Sequence, residues 1–303
     1  MRFAIEAWAT EYGTPMELTE KTVSETKVDV EVERPVKDWA AIEPKAAKLP
    51  SSTLFTDGVR RIDARVWIET EDGTRPGVCA SYAAGAMMCD GRARLAQVKV
   101  ERGLFSAATD ASSITCKHAH YGVRRAKGDA PEDLWLAIQE RMGELEGAIA
   151  DDLEADLILI DGPLRGNLGQ PCRVGYVKTH HVSYLPPELD AVVSSLAPGQ
   201  RTPVFLTLGR WGRFSWYVRL PGADGHSWAG VVRCETSADV PIEDATSLAD
   251  TVATVLPRYA SVSHKDPRAP QNLYPIAGLE RELRRRLGDP QLLYRGLRVA
   301  AAV

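Results

Sequence analysis

Two short apolar runs in this sequence end on the same pair of residues. Thr53–Asp57 reads TLFTD and is followed by Gly58; Asp156–Asp161 reads DLILID and is followed by Gly162. Aspartates at the ends of neighbouring buried strands would bring two carboxylates to one sheet edge, where α/β folds bind ligands. Carboxylates a few ångströms apart repel unless one is protonated or a cation lies between them. Oxygen-only ligands favour hard cations such as Mg²⁺ or Mn²⁺. Metal ions held this way, about 4 Å apart, can activate water and stabilise the leaving oxygen of a phosphodiester. A single Asp-Gly pair is also a common way to end a strand in a turn, so the reading rests on the pair and its connection.

The connection suits a crossover. Ile62, Ala64, Val66 and Ile68 alternate with Asp63, Arg65 and Trp67, a strand pattern; residues 77–88 and 93–102 are further strand candidates. Together they predict an antiparallel meander. Residues 103–130 read as loop-rich. Asp129, Pro131 and Glu132 then signal a helix start, and the helix is predicted to run to about Asp152 with Leu134, Ile138, Leu145 and Ile149 on one side. A strand reached through such a helix returns beside or near its predecessor. More strands are expected over Cys172–His180, Pro203–Gly209, Arg213–Leu220 and Trp228–Glu235, with helices around Pro187–Leu196, Asp244–Leu256 and Pro275–Leu287. The fold class is α/β, a mixed sheet of an antiparallel meander and parallel strands flanked by helices. Residues 1–50 read as an arm or edge strand and linker, 51–290 as the main domain and 291–303 as a tail.

Composition sets the outer bounds. The chain has 303 residues, 44% hydrophobic and 26% charged, which is ordinary for globular domains. No run of about 18 apolar residues predicts a membrane span. Glu6 and Glu11 interrupt the N-terminal stretch, which reads as mature protein rather than a secretion signal. The five cysteines are odd in number and widely spaced; this suits a reduced cytoplasm better than a disulfide framework or a zinc ribbon. The net charge of −4 is unhelpful for binding phosphates. The basic residues cluster, however, at Arg60–Arg61, Arg124–Arg125–Lys127 and Arg281–Arg284–Arg285–Arg286, and such clusters could track a nucleic-acid backbone while the rest of the surface stays acidic.

The segments FTDGVRR (Phe55–Arg61), ERMGELEGAIADDLEADLILIDGPL (Glu140–Leu164), VGYVKTHH (Val174–His181) and NLYPIAGLERELRRRLGD (Asn272–Asp289) resemble, in that order, the motifs of the NurA nuclease family, over roughly residues 50–290. The resemblance implies a ribonuclease-H-like fold, a dimer, Mn²⁺-dependent cleavage of single-stranded DNA and resection of DNA ends, and work with a HerA-type hexameric ATPase. It assigns Asp57 and Asp161 to metal binding, with a glutamate of the preceding helix. Glu144 is taken for that place from its distance to Asp161, with Glu140 and Glu146 as alternatives. Lys178 and Tyr274 fall on the family's lysine and tyrosine. The family's C-terminal histidine is missing: Glu280 or Glu282 replaces it, His264 fills in from the preceding loop, or the site is altered.

The expectation is a metal-dependent deoxyribonuclease of the cytoplasm using Mn²⁺ or Mg²⁺, with Arg60, Arg61, Arg124 and Arg125 as DNA contacts. It would act in DNA repair or in defence against foreign DNA. Two rivals are a weak or inactive scaffold that regulates the ATPase, and a hydrolase of small phosphate esters. Cys116, His118 and His120 would share a face if on one strand and could hold zinc, though no fourth ligand is near. Trp211, Phe214, Trp216, Tyr217 and Trp228 could stack bases but read better as core or cross-strand pairs. His180 and His181 would point to opposite faces of a strand.

Overall fold

The computed structural model describes residues 22–23, 26–45, 48–71, 73–166, 171–180, 182–209, 211–223 and 225–302. His181, part of one sequence motif, and the N-terminal stretch read as mature protein lie outside them. The strands are β1 (Thr22–Val23), β2 (Lys27–Asp29), β3 (Thr53–Thr70), β4 (Gly73–Cys89), β5 (Ala93–Ser106), β6 (Ile114–Cys116), β7 (Ala119–Arg125), β8 (Leu157–Asp161), β9 (Arg173–Val177), β10 (Val182–Ser183), β11 (Phe205–Leu208), β12 (Gly212–Arg219) and β13 (Val231–Ser237). The helices are α1 (Pro131–Asp151), α2 (Pro187–Ser195), α3 (Ile242–Val255), α4 (Tyr274–Arg286) and α5 (Pro290–Ala300).

The architecture is α/β. Eleven strands form one sheet in the order β2-β11-β12-β13-β9-β8-β3-β4-β5-β7-β6. β3, β4 and β5 are consecutive neighbours in that order, and hydrogen-bonded neighbours separated by so few residues run antiparallel. β8 and β9 are parallel, as are β5 and β7; β9 to β13, β13 to β12 and β12 to β11 are antiparallel. β8, reached through α1, is the sheet neighbour of β3.

The chain groups into two compact units interleaved in sequence: residues 1–55, 89–92 and 155–277, and residues 56–88, 93–154 and 278–303. In the first unit, Leu189 and Val193 of α2 pack with Trp39, Phe205, Tyr217 and Val231. Phe205 and Tyr217 stack, and Trp228 meets Tyr217 edge-on; Phe214 and Trp216 are buried as well. Most of the five aromatics weighed as base-stacking residues are thus interior, with Trp228 partly buried, as burial of large rings favours; Trp211 is exposed. Arg201, buried, bonds Glu33 at 2.9 and 3.0 Å and Asp250 at 2.6 Å, and Glu33 also accepts the Val204 amide at 2.6 Å. A buried guanidinium needs such partners, and here they tie residue 33 and α3 to one point.

In the second unit, α4 lays Leu279, Leu283 and Leu287 against Val59 of β3 and Ala83 of β4. Small residues admit the helix: a Cβ on Gly85 would come within 2.9 Å of Leu283 Cδ2 and 3.0 Å of Leu279 Cδ1. α1 buries Leu134, Ile138, Met142, Leu145 and Ile149. The buried carboxylate of Asp63 accepts from Arg61 at 2.9 Å, Ser81 at 2.5 Å and Tyr121 at 3.0 Å. Leu297 of α5 joins Cys79, Leu104 and Tyr121.

Four local expectations are corrected. The apolar run 53–57 does not end at Asp57-Gly58; β3 continues to Thr70, because Gly58 lacks the positive φ that Gly162 has. Residues 103–130 are not mainly loop: β5 extends to Ser106, and β6 and β7 form a hairpin. No capping box starts α1. Ala130 is its N-cap, Pro131 supplies the first-turn preference, and Asp129 pairs with Arg75 at 2.7 Å. Within the segment read as a tail, residues up to Ala300 form α5, capped by Asp289 through the amides of Gln291 and Leu292.

Candidate metal centre

β8 carries Asp161 to the end of a buried strand, Leu157–Ile160 being almost fully enclosed. Gly162, at φ 93°, then turns the chain, and its amide donates to Tyr176 O at 2.8 Å. Asp161 pairs in register with Tyr176 of β9, so the two side chains share a face. Lys178 lies two residues further on the same side. Its Nζ is 2.6 Å from Asp161 Oδ2, with both side chains under a tenth exposed.

Asp57 sits within β3, buried, and accepts its neighbour's amide, Gly58 N, at 2.7 Å. Strand alternation puts Asp57 and Val59 on one face and Gly58 and Arg60 on the other. α4 covers Val59; α1 covers Gly58, where an added Cβ would overlap Glu146 Oε1 and lie 2.9 Å from Met142 Cγ. Gly58 is therefore a close-approach glycine and not a turn glycine.

α4 supplies the third acid. Ile276, Glu280, Leu283 and Leu287 follow i, i+4, i+7, i+11 spacing, and all four are buried. Glu280 is thus a carboxylate on an apolar helix face. Ligand oxygens of Asp57, Asp161 and Glu280 all lie within 4.8 Å of one another. All three donors are carboxylates, the set that suits a hard divalent cation. Holding three such groups together calls for positive charge; Lys178 provides one such charge at Asp161.

The other predicted residues fall elsewhere. Glu144, expected as the helix ligand, is exposed and ion-paired with Arg141 and is not among the three grouped acids. Glu140 is half exposed and 3.7 Å from Lys127. Glu146 is the buried one, on the apolar side of α1 against Gly58. Of the substitutes for the missing histidine, Glu280 joins the group. Glu282 faces outward with Arg285 at 2.8 Å and Arg286 at 2.7 Å, which hold its carboxyl down to about 2. His264 is exposed. Tyr274 is 40% exposed at the start of α4, with Lys265 Nζ 5.5 Å from its ring centre.

Two of the arginines expected at DNA are engaged in the second unit. Arg60 stacks on Trp135 of α1 at 4.1 Å, on the face away from Asp57. Arg61 bonds Asp63 and the carbonyls of Leu287 at 3.4 Å and Gly288 at 2.8 Å, a cation at the C-terminal end of α4. Arg124 lies 3.6 Å from Glu101. Arg125 is exposed at the end of β7, as are Arg281, Arg284, Arg285 and Arg286 on α4.

The soft-metal reading of Cys116, His118 and His120 fails geometrically. A turn separates Cys116 from Ala119 across the β6–β7 hairpin, and His120 Nδ1 bonds Thr115 Oγ1 at 2.9 Å. His180 is bonded to Val231 O at 2.9 Å and packed on Trp228. Among the described residues, no helix is long and apolar enough to cross a membrane.

The sequence offered a signal for Glu280 in its apolar helix register. Among the helix glutamates, the same signal marks Glu146, four residues from Met142 and three from Ile149, and not Glu144.

No family model matches the chain, and no curated protein matches it. Among solved structures, the chain is similar to the NurA nuclease from Sulfolobus solfataricus, at 12% identity and a TM-score of 0.44, over 82% of this chain and 84% of that one. It is also similar to an endonuclease V from Ciona intestinalis solved with inosine-containing DNA, at 11% identity and a TM-score of 0.32, over 82% and 90%.

Proposed function

We propose that this chain is a divalent-metal-dependent deoxyribonuclease whose ligands are Asp57, Asp161 and Glu280. The observation that carries the reading is the meeting of these three carboxylates, two buried and Asp161 partly buried, each delivered by a different element. The ordered segments that resemble the motifs of the NurA family favour DNA as the substrate. In this reading the ion is Mn²⁺ or Mg²⁺, the chain works as a homodimer with a HerA-type ATPase in the cytoplasm, and the task is end processing in repair or defence.

A divalent cation bound there would supply a nucleophile from water at neutral pH and offset charge on the attacked phosphate. The protein's own part is positioning. β3 and β8 fix two carboxylates on adjacent strands, and α4 fixes the third through its apolar register. Arg284, one turn beyond Glu280 and exposed, lies on the same side of α4 and offers a charge to a phosphate backbone. A chain of net charge −4 gains from a partner or second copy that adds grip on DNA.

The test is cleavage of labelled single- and double-stranded DNA with Mn²⁺ or Mg²⁺, with and without the co-purified ATPase. Wild type is compared with Asp57→Asn, Asp161→Asn and Glu280→Gln. Loss of cleavage in all three, with wild-type folding, is expected. Turnover of a chromogenic monoester without DNA cleavage would replace the reading by a small-phosphoester hydrolase. A wild type that neither binds Mn²⁺ nor cuts would point to a scaffold.

A further inference from the structure

The chain beyond Lys178 contains a polar relay that the proposed metal chemistry does not require. Lys178 Nζ, 2.6 Å from Asp161 Oδ2, also donates to Asn272 Oδ1 at 3.3 Å. Asn272, fully buried, donates through Nδ2 to Asp266 Oδ2 at 2.6 Å. The other oxygen of Asp266, Oδ1, accepts the Arg268 amide at 2.8 Å, and the Asn272 amide donates to Arg268 O at 3.0 Å. Every link lies in the first unit.

The amide of Asn272 can meet Lys178 only with its oxygen, since an ammonium has no acceptor. Asp266 enforces that choice by taking the Nδ2 hydrogen. The relay thus fixes both the orientation of Asn272 and the place of the Lys178 charge. A buried ammonium held by a carboxylate and an oriented amide is costly to detach.

We propose that Lys178 is a resident counter-charge for the acidic centre, and that Asn272 and Asp266 are positioning residues that hold it against Asp161. The proposal rests on Asp161 being a metal ligand. Its consequence is a trade: the ammonium lets the carboxylates stay assembled without an ion, and it weakens the hold of Asp161 on an incoming cation. The same charge, kept beside the centre, then stabilises negative charge developing on a phosphate. Removing it therefore moves metal affinity and turnover in opposite directions. A residue with a merely structural role would lower both.

The experiment measures Mn²⁺ binding to the metal-stripped full chain by titration calorimetry, alongside kcat and KM for DNA cleavage. For Lys178→Met, the expected result is Mn²⁺ affinity raised at least about tenfold, as removal of a unit charge within a few ångströms requires, with kcat lowered at least about tenfold. Lys178→Arg keeps the charge and holds Mn²⁺ affinity within about threefold of wild type. Asn272→Ala shifts both quantities in the same directions as Lys178→Met, by a few-fold. The pair Asn272→Asp with Asp266→Asn restores an acceptor at Lys178 and a donor behind it, and recovers wild-type values to within about threefold.

Unchanged or weakened Mn²⁺ affinity in Lys178→Met overturns the proposal. If that variant does not fold, Asn272→Ala and its paired rescue decide: equal Mn²⁺ affinity in all of them overturns it too. A wild type that binds Mn²⁺ but does not cut DNA would refute the nuclease reading and leave the affinity comparison standing. A wild type that binds no Mn²⁺ refutes both the metal assignment and this proposal.

Discussion

Glu146 of α1 occupies the space that a side chain on Gly58 would need. An alanine Cβ there would overlap Glu146 Oε1 and lie 3.0 Å from Glu146 Cδ. Gly58→Ala should therefore destabilise the protein by about 1–3 kcal/mol, as overpacking of an interior does. Chemical denaturation measures it. The double variant with Glu146→Ala should cost less than the sum of the single changes, because the second removes the atoms the first collides with. Additive costs would mean the helix does not bear on Gly58.

The placement of the glutamates separates two helices by function. Glu280→Gln should lower DNA cleavage at least about a hundredfold, because an amide is a poor ligand for a hard cation. Glu144→Gln should leave it within about twofold, since its exposed pair with Arg141 contributes little. Steady-state rates at saturating Mn²⁺ decide between them, and the reverse ranking would return the site to α1.

Arg284, exposed and one turn beyond Glu280 on α4, should contribute one phosphate contact. Arg284→Ala is expected to weaken binding to all DNA sequences alike and to reduce the slope of log affinity against log salt by about one. Fluorescence anisotropy over a salt series tests this. An unchanged slope would remove Arg284 from the DNA path.

Breaking the Arg201 network should be more damaging than any surface change. Arg201→Met leaves Glu33 and Asp250, at 2.9 and 2.6 Å from the guanidinium, without that partner. The expected cost is about 3–5 kcal/mol, read from the denaturation midpoint. A loss below about 1 kcal/mol would show that water reaches both carboxylates.

Alkaline stability follows from the thiols. Burial, with the Asp63 charge nearby, pushes the Cys79 thiol up to about 12; burial and Asp90 push Cys89 to about 11. A thiol raised in the folded state keeps its proton while the unfolded chain loses it near pH 9. This contribution is fully present below that pH and is lost as pH rises towards the folded values. Stability should fall between pH 9 and about 12. At pH 8, a thiol reagent should label Cys116 and Cys172, which are partly exposed, well ahead of buried Cys79, Cys89 and Cys234. Rapid labelling of all five would count against the burial.

Most elements were legible in the sequence because their apolar periodicities are local. The helices α1 to α4 and strands β8, β9 and β11 to β13 fall within a few residues of their predicted ranges. The pairing of Asp57 and Asp161 as neighbouring-strand residues could also be argued from two apolar runs and one crossover helix. Glu280 was readable as a candidate, since an acid in the register of Ile276, Leu283 and Leu287 must be buried with them. Tertiary structure decided the rest, because each remaining question concerned what another segment brings to the same place. Gly58 resembles Gly162 in sequence; only the approach of Glu146 makes one a packing glycine while the other turns the chain. Arg60 and Arg61 are adjacent and alike, yet strand alternation sends one to Trp135 and the other to the end of α4. Glu144 and Glu146 differ by two positions, about 200° around a helix, and that rotation leaves one in solvent and buries the other against β3.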